Sequence, residues 1–224
     1  MIDDIEFLDD ATRPAAPKLE GLTPGQKAAG LHLKEIHDHL RGNMKTLRTL
    51  IDRASQGQVS ASEVTATTGD MAMVANFRRF GNLCGQHCAI VNTHHSIEDY
   101  ALFPAIAAQG EAFRKVAERL QAEHVVVHEL LERLIEALNL LAGAPTRENF
   151  EAAIVVYEAL ERVLLSHLGY EEDSIGDALG YFRGDLEENC GGLVLHQHGV
   201  VRDQTHRLEP RLRDDQPVER VEVM

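Results

Sequence analysis

The sequence predicts an all-α protein: an up-down-up-down four-helix bundle with a metal site in its core and extended tails at both ends. Three observations carry this. Four long segments place apolar residues at spacings of three and four. The links between them are mostly short and polar, and no stretch alternates with period two for long. Histidines, 12 in all, recur on the apolar faces of these segments and not at random.

Residues 1–22 are acidic and then rich in Pro and Ala, without a sustained period, and are expected to form an arm or linker. The bundle is expected over residues 23–179. Thr23, Pro24 and Gln26 form a helix start, with Thr23 as N-cap, Pro24 at the first helical position and Gln26 placed to reach back in a capping box. This first helix runs to about residue 53, with Leu33, Ile36, Leu40, Met44, Leu47 and Ile51 on one face. Residues 54–69 are small and polar and read as a loop.

The second helix is expected over about 70–102. Its stripe is Met73, Phe77, Phe80, Cys84, His87, Val91, His94 and Glu98, and Pro104 and Gly110 are expected to end it. The third runs over about 111–142 on Phe113, Val116, Leu120, Val127, Leu131, Leu134, Leu138 and Leu141, with His124 filling the gap and His128 beside it. A turn at 143–148 follows, with Thr146 as N-cap. The fourth helix, about 147–177, carries Ile154, Tyr157, Leu160, Leu164, His167, Glu171 and Ile175 on one face. Residues 180–224 hold several Gly, Pro and charges and are expected to form a mostly extended tail. Its one apolar patch is "GGLVLHQHGVV", which carries the weak metal pattern His196-x-His198.

Composition narrows the partners. With 22 Lys+Arg against 36 Asp+Glu, the formal net charge is −14, which argues against nucleic acid or an anionic membrane as a partner. No apolar run approaches the ~20 residues that span a bilayer. The acidic N-terminus is unlike a signal peptide, and three cysteines do not make a disulfide framework. A cytoplasmic protein is expected.

The helical period also sorts the polar residues. His94 and Glu98, His124 and His128, and His167 and Glu171 are pairs four apart on or beside core stripes, and His37 faces inward between Leu33 and Leu40. Several imidazoles and two carboxylates buried in one layer cost much without partners. A metal cluster removes that cost, and imidazole nitrogen with carboxylate oxygen suits iron or manganese. Taken singly, each residue has a plainer reading. A lone inward His is usually a hydrogen-bonded core residue, and a His–Glu pair four apart is as often an intrahelical contact. Such groups on all four core faces together point to a site.

"IHDHLR" (36–41), "HHSIEDYALFP" (94–104), "EHVVVHEL" (123–130) and "HLGYEED" (167–173) resemble the four motifs of the hemerythrin-like, HHE cation-binding family over roughly residues 27–177. The resemblance implies a di-metal site of two iron ions, with manganese or zinc as alternatives. In it, His124, His128 and His167 would hold one iron and His37 and His94 the other. Glu98 and Glu171 would bridge them, and the second iron would keep a position open for dioxygen or another small ligand. His95 stands as an alternative to His94, Asp99 to Glu98 and Glu172 to Glu171. The preferred assignment leaves His95 and Asp99 outward or in an outer layer. The function so implied is storage, scavenging or sensing of a small ligand. The alternative is a di-iron oxidase or peroxidase acting on peroxide or nitric oxide, and a further reading is a metal-free interaction bundle. Cys84, His87 and Cys88 allow a thiol gate, a redox pair or a second soft-metal site, and small apolar Cys packing is the favoured reading. Tyr157 and Tyr170 read as packed core tyrosines.

Overall fold

The computed structural model describes residues 2–55, 87–144, 146–184 and 186. Its regular elements over those residues are all helices. Helix α1 spans Pro24–Ser55. The described part of α2 covers residues 87–107, in which a π-helical turn at Glu98–Leu102 separates residues 87–97 from Phe103–Ala107. Helix α3 is Glu111–Gly143 and α4 is Arg147–Tyr181. The expected loop at 54–69, apart from its first two positions, the first half of the second stripe with Cys84, and the tail beyond residue 186 with His196 and His198 lie outside the described residues; the start of the expected extended tail is instead helical to Tyr181.

The helix starts form as their sequences dictate. Thr23 N–H donates to Gln26 Oε1 at 2.9 Å while Thr23 Oγ1 accepts from Gln26 N at 3.3 Å, a reciprocal capping box. Thr146 Oγ1 accepts from Asn149 N at 3.2 Å and starts α4. Between α2 and α3 the chain turns through Gly110, whose φ of 142° suits a residue without Cβ.

Pro104 does not end the second helix, contrary to the sequence expectation. It sits at the start of the α segment that follows the π turn. A proline lacks the N–H that an α-helix interior needs, but the wider π turn already interrupts the i→i−4 ladder there. The helix therefore continues to Ala107.

Helices α1 and α4 pack antiparallel and very close at one end. A Cβ on Gly30 would lie 2.6 Å from the Gly176 carbonyl oxygen, and one on Gly180 would collide with the backbone of Gln26. Further along, Tyr157 is buried and its hydroxyl donates to the Met44 carbonyl at 2.7 Å, which ties the same two helices as a packed core tyrosine would.

The core divides in two. One apolar cluster gathers Leu40 to Ile51 of α1, Cys88 and Val91 of α2, Val126 to Leu141 of α3 and Phe150 to Leu168 of α4. The other gathers Leu33, Leu102 to Ile106, Phe113 to Leu120 and Ile175 to Leu179, with Leu186 beyond α4. Between them lie His37, His94, His95, Glu98, His124, His167 and Glu171, all buried. The antiparallel helices thus bring their polar residues to one level.

The N-terminal arm is docked, which the absence of a period in its sequence did not reveal. Ile2, Ile5 and Leu8 pack against the first cluster. A short 3-10 helix, Asp10–Thr12, is capped by Asp9. Arg119 donates to Thr12 Oγ1 at 2.8 Å and to the Asp9 carbonyl at 2.9 Å, and Tyr170 Oη donates to the Pro14 carbonyl at 2.9 Å. At the far end of the arm, Arg133 reaches Asp4 at 2.7 Å.

Candidate metal centre

Each helix delivers its share through the same periodicity that buries its apolar residues. On α2 the inward face carries two residues per turn, and Val91, His94, His95 and Glu98 follow the i, i+3, i+4, i+7 pattern. His94 and His95 therefore straddle the middle of the face, and both are buried. The preferred reading of His95 as outward or in an outer layer, with His94 and His95 as alternatives, followed one residue per turn, whereas both belong to the face.

Two groups of donors result. One ligand atom from each of His37, His94, Glu98 and Glu171 lies within 4.8 Å of the others, and the same holds for His95, His124 and His167. The two carboxylates lie between the groups. Glu98 Oε1 is 3.1 Å from His94 Nε2 while its Oε2 is 3.7 Å from His124 Nε2. Glu171 Oε2 is 3.5 Å from both His37 Nε2 and His167 Nε2. His128 falls outside both groups; its ring centroid is 5.3 Å from that of His95 and 6.2 Å from that of His124.

An outer layer of carboxylates fixes the rings. His37 Nδ1 meets Glu172 Oε1 at 2.9 Å, His124 Nδ1 meets Asp99 Oδ1 at 2.9 Å, and His167 Nδ1 meets Glu123 Oε2 at 3.1 Å. Carboxylates accept only, so each Nδ1 carries the proton and each Nε2 presents a lone pair. These lone pairs point at other imidazoles. His124 Nε2 and His167 Nε2 are 3.0 Å apart, and His37 Nε2 and His94 Nε2 are 3.1 Å apart. Two lone pairs at such a distance repel unless a cation lies between them. A shared proton is a poor candidate at His124, because burial lowers its affinity for a second proton, against the pull of Asp99.

The carboxylates pose the same problem. Among the described residues none of the four oxygens of Glu98 and Glu171 has a hydrogen-bond partner, and neither does either nitrogen of His95 nor Nε2 of His128. Burial pushes the Glu98 carboxyl well above the usual carboxylate range, and the nearby Glu171 adds to this. Burial and the surrounding imidazoles hold His95 well below the ordinary histidine value. Orphaned buried donors of nitrogen and oxygen, converging from four helices, fit a site for metal ions. The family model for the hemerythrin HHE cation-binding domain matches residues 32–179, which is more than half of the chain.

The chain belongs to the hemerythrin family. No curated protein and no solved structure matches it. For a hemerythrin-family domain the acid on α4 had two candidates. Here Glu171 lies inside the layer and Glu172 outside it, bound to His37 and to Arg41 Nη1 at 2.7 Å. Glu98 and Asp99 divide in the same way. Sequence reasoning did not single out Glu123, Arg13, Arg41 or Arg119. Glu123 had a usable signal: "EH", like "ED" and "EE", sets an acid about 100° round the helix from an inward residue, within reach of a neighbouring helix.

Cys84 lies outside the described residues, and among the described residues His87 and Cys88 belong to no second group of donors. Cys88 is buried among apolar residues and burial pushes its thiol up to about 12, which suits a packed side chain. His87 is buried, neither ring nitrogen has a partner among the described residues, and burial lowers it to about 4. Among the described residues no helix is long and apolar enough to cross a membrane.

Proposed function

We propose that this hemerythrin-family chain is a non-haem di-iron protein that binds dioxygen or another small ligand, for storage, scavenging or sensing. His37 and His94 would hold one iron and His124 and His167 the other, with Glu98 and Glu171 bridging. As the third imidazole at the second iron, proximity favours His95, which groups with His124 and His167, over His128, which stands behind it. The observation that carries the reading is the pair of Nε2 atoms of His124 and His167, whose Nδ1 atoms are both committed to carboxylates.

Bound iron would supply a redox-active centre with fewer imidazoles on one ion than on the other. The protein's part is orientation and exclusion of water. Asp99, Glu123 and Glu172 set the tautomers of three rings, a second layer that typically matters ten- to a hundredfold in metal affinity. The apolar clusters on both sides would limit water in the layer and suit a small, weakly polar guest.

Metal analysis of anaerobically purified protein, with optical spectra before and after exposure to air, tests this. Two irons per chain and a visible band that appears with oxygen and fades on its removal are expected. One metal or none per chain overturns the di-metal reading. Irreversible oxidation without a reversible band overturns reversible binding and favours turnover of peroxide or nitric oxide.

A further inference from the structure

The three carboxylates that orient imidazoles are not held alike. Among the described residues no arginine reaches Asp99, and Glu172 receives Arg41 alone. Glu123 receives three guanidinium donors besides His167. Arg13 grips it with a bidentate fork, Nε to Oε1 at 2.8 Å and Nη2 to Oε2 at 3.1 Å, and Arg119 Nε adds a bond to Oε1 at 2.7 Å. His167 Nδ1 then takes Oε2. Arg13 is itself locked: Nη1 donates to Ser166 Oγ at 2.9 Å and the guanidinium lies 4.7 Å from the Tyr170 ring centroid. It comes from the N-terminal arm, 110 residues away in sequence from Glu123.

We propose that Arg13 is a positioning residue of the metal centre, fixing the His167 ring through Glu123, so that docking of the N-terminal arm and metal loading are coupled. The inference rests on the reading of His167 as a ligand. Two effects of losing Arg13 oppose each other. A free carboxylate would be more strongly basic toward His167 Nδ1–H and so favour the metal. A released Glu123 side chain would also turn among rotamers and admit water to the Nδ1–H bond, which disfavours it. Arg119 remains to neutralise Glu123, so the electrostatic change is partial, while the bidentate geometry is lost outright. Loss of position wins. Coupling in binding is reciprocal, so bound metal must hold the arm more tightly by the same factor.

The test uses full-length protein and cobalt(II), which reports its own coordination in the visible spectrum. Wild type, Arg13→Ala, Arg13→Lys and Asp4→Ala are titrated against a competing chelator, with helix content checked by circular dichroism. Arg13→Ala is expected to bind one of the two ions about 10–100-fold more weakly, with altered cobalt bands. Arg13→Lys should recover part of the loss. Asp4→Ala loosens the arm at its far, solvent-exposed end and should stay close to wild type. In the reverse direction, cobalt should slow tryptic cleavage after the exposed Lys18 in wild type but not in Arg13→Ala. Equal or tighter cobalt binding by Arg13→Ala, or a Lys18 cut indifferent to metal in wild type, overturns the proposal. If wild type takes up no cobalt, or His167→Ala binds both ions normally, it is the ligand assignment that fails.

Discussion

His124 Nε2 and His167 Nε2 stand 3.0 Å apart while Nδ1 of each ring donates to a carboxylate, Asp99 for one and Glu123 for the other. The arrangement costs free energy without a cation between the rings. Removing metal by anaerobic chelation should therefore lower the unfolding temperature, and restoring it should raise it. At free metal a thousandfold above Kd the linkage is about 4 kcal/mol. For a chain of this size that is roughly 8–16 °C by calorimetry. An unfolding temperature indifferent to chelator would contradict the argument.

Glu98→Gln separates the cost of the carboxylate from its use. Burial, with Glu171 close by, holds the Glu98 carboxyl well above its ordinary range. Without metal, the neutral, isosteric amide should leave stability unchanged or raise it by about 1 kcal/mol, the scale of one relieved buried polar group. With metal, the same variant should hold fewer than two ions per chain. Denaturant unfolding of the metal-free protein and elemental analysis of the loaded protein check the two halves.

His95→Ala and His128→Ala rank the spare imidazoles. His95 shares its group with His124 and His167, and its ring stacks on His124 at 3.7 Å between centroids. Its loss should weaken one ion tenfold or more, while His128→Ala should have the smaller effect on metal stoichiometry. The opposite order would restore His128 as the third imidazole of the second ion.

Much of this was legible in the chain. Polar residues at core positions are expensive, so His37, His94, Glu98, His124, His167 and Glu171 stood out from the apolar spacing alone, and all six are buried. Thr23 with Gln26, and Thr146, announced helix starts by local chemistry, which sequence shows directly. His95 stood only as an alternative to His94, because a core face two residues wide was read as one, and both are buried. The π turn escaped because periodicity averages over a single inserted residue, and with it went the reason Pro104 is tolerated. The arm escaped because its bonds join residues more than a hundred positions apart, as Arg13 joins Glu123, a relation that no local pattern encodes.

His87 gives the metal-free protein a sensitivity to acid. Burial lowers its pKa to about 4, below the 6.5 of an unfolded histidine. The unfolded chain therefore binds the proton first, and the stability tied to the neutral ring is present above pH 6.5 and is lost as pH falls through the window from 6.5 to 4. About 3 kcal/mol is at stake over that window at 1.36 kcal/mol per unit. His87→Leu should flatten the decline relative to wild type in urea melts at pH 7 and pH 4.5. Parallel declines in the two proteins would refute it.

Two alanine substitutions in α1 should act in opposite directions. At Gly30 a new Cβ meets the Gly176 backbone, so Gly30→Ala should destabilise by about 1–3 kcal/mol through overpacking. At Gly42 nothing lies within 4 Å, so Gly42→Ala should gain about 0.5–1 kcal/mol from helix propensity. Thermal unfolding of both variants in the same metal state makes the comparison.

The division of the core bears on how the molecule melts. Among the described residues each half of the bundle has its own apolar cluster, and the layer between them is made mainly of imidazoles and carboxylates. Ions held by side chains from α1, α2, α3 and α4 at once would weld those halves into one cooperative unit. Without them, each half can open on its own free-energy scale. Metal content would then govern how much of the protein unfolds in a single event, and a metal-free molecule would fray from one end while the other stayed intact.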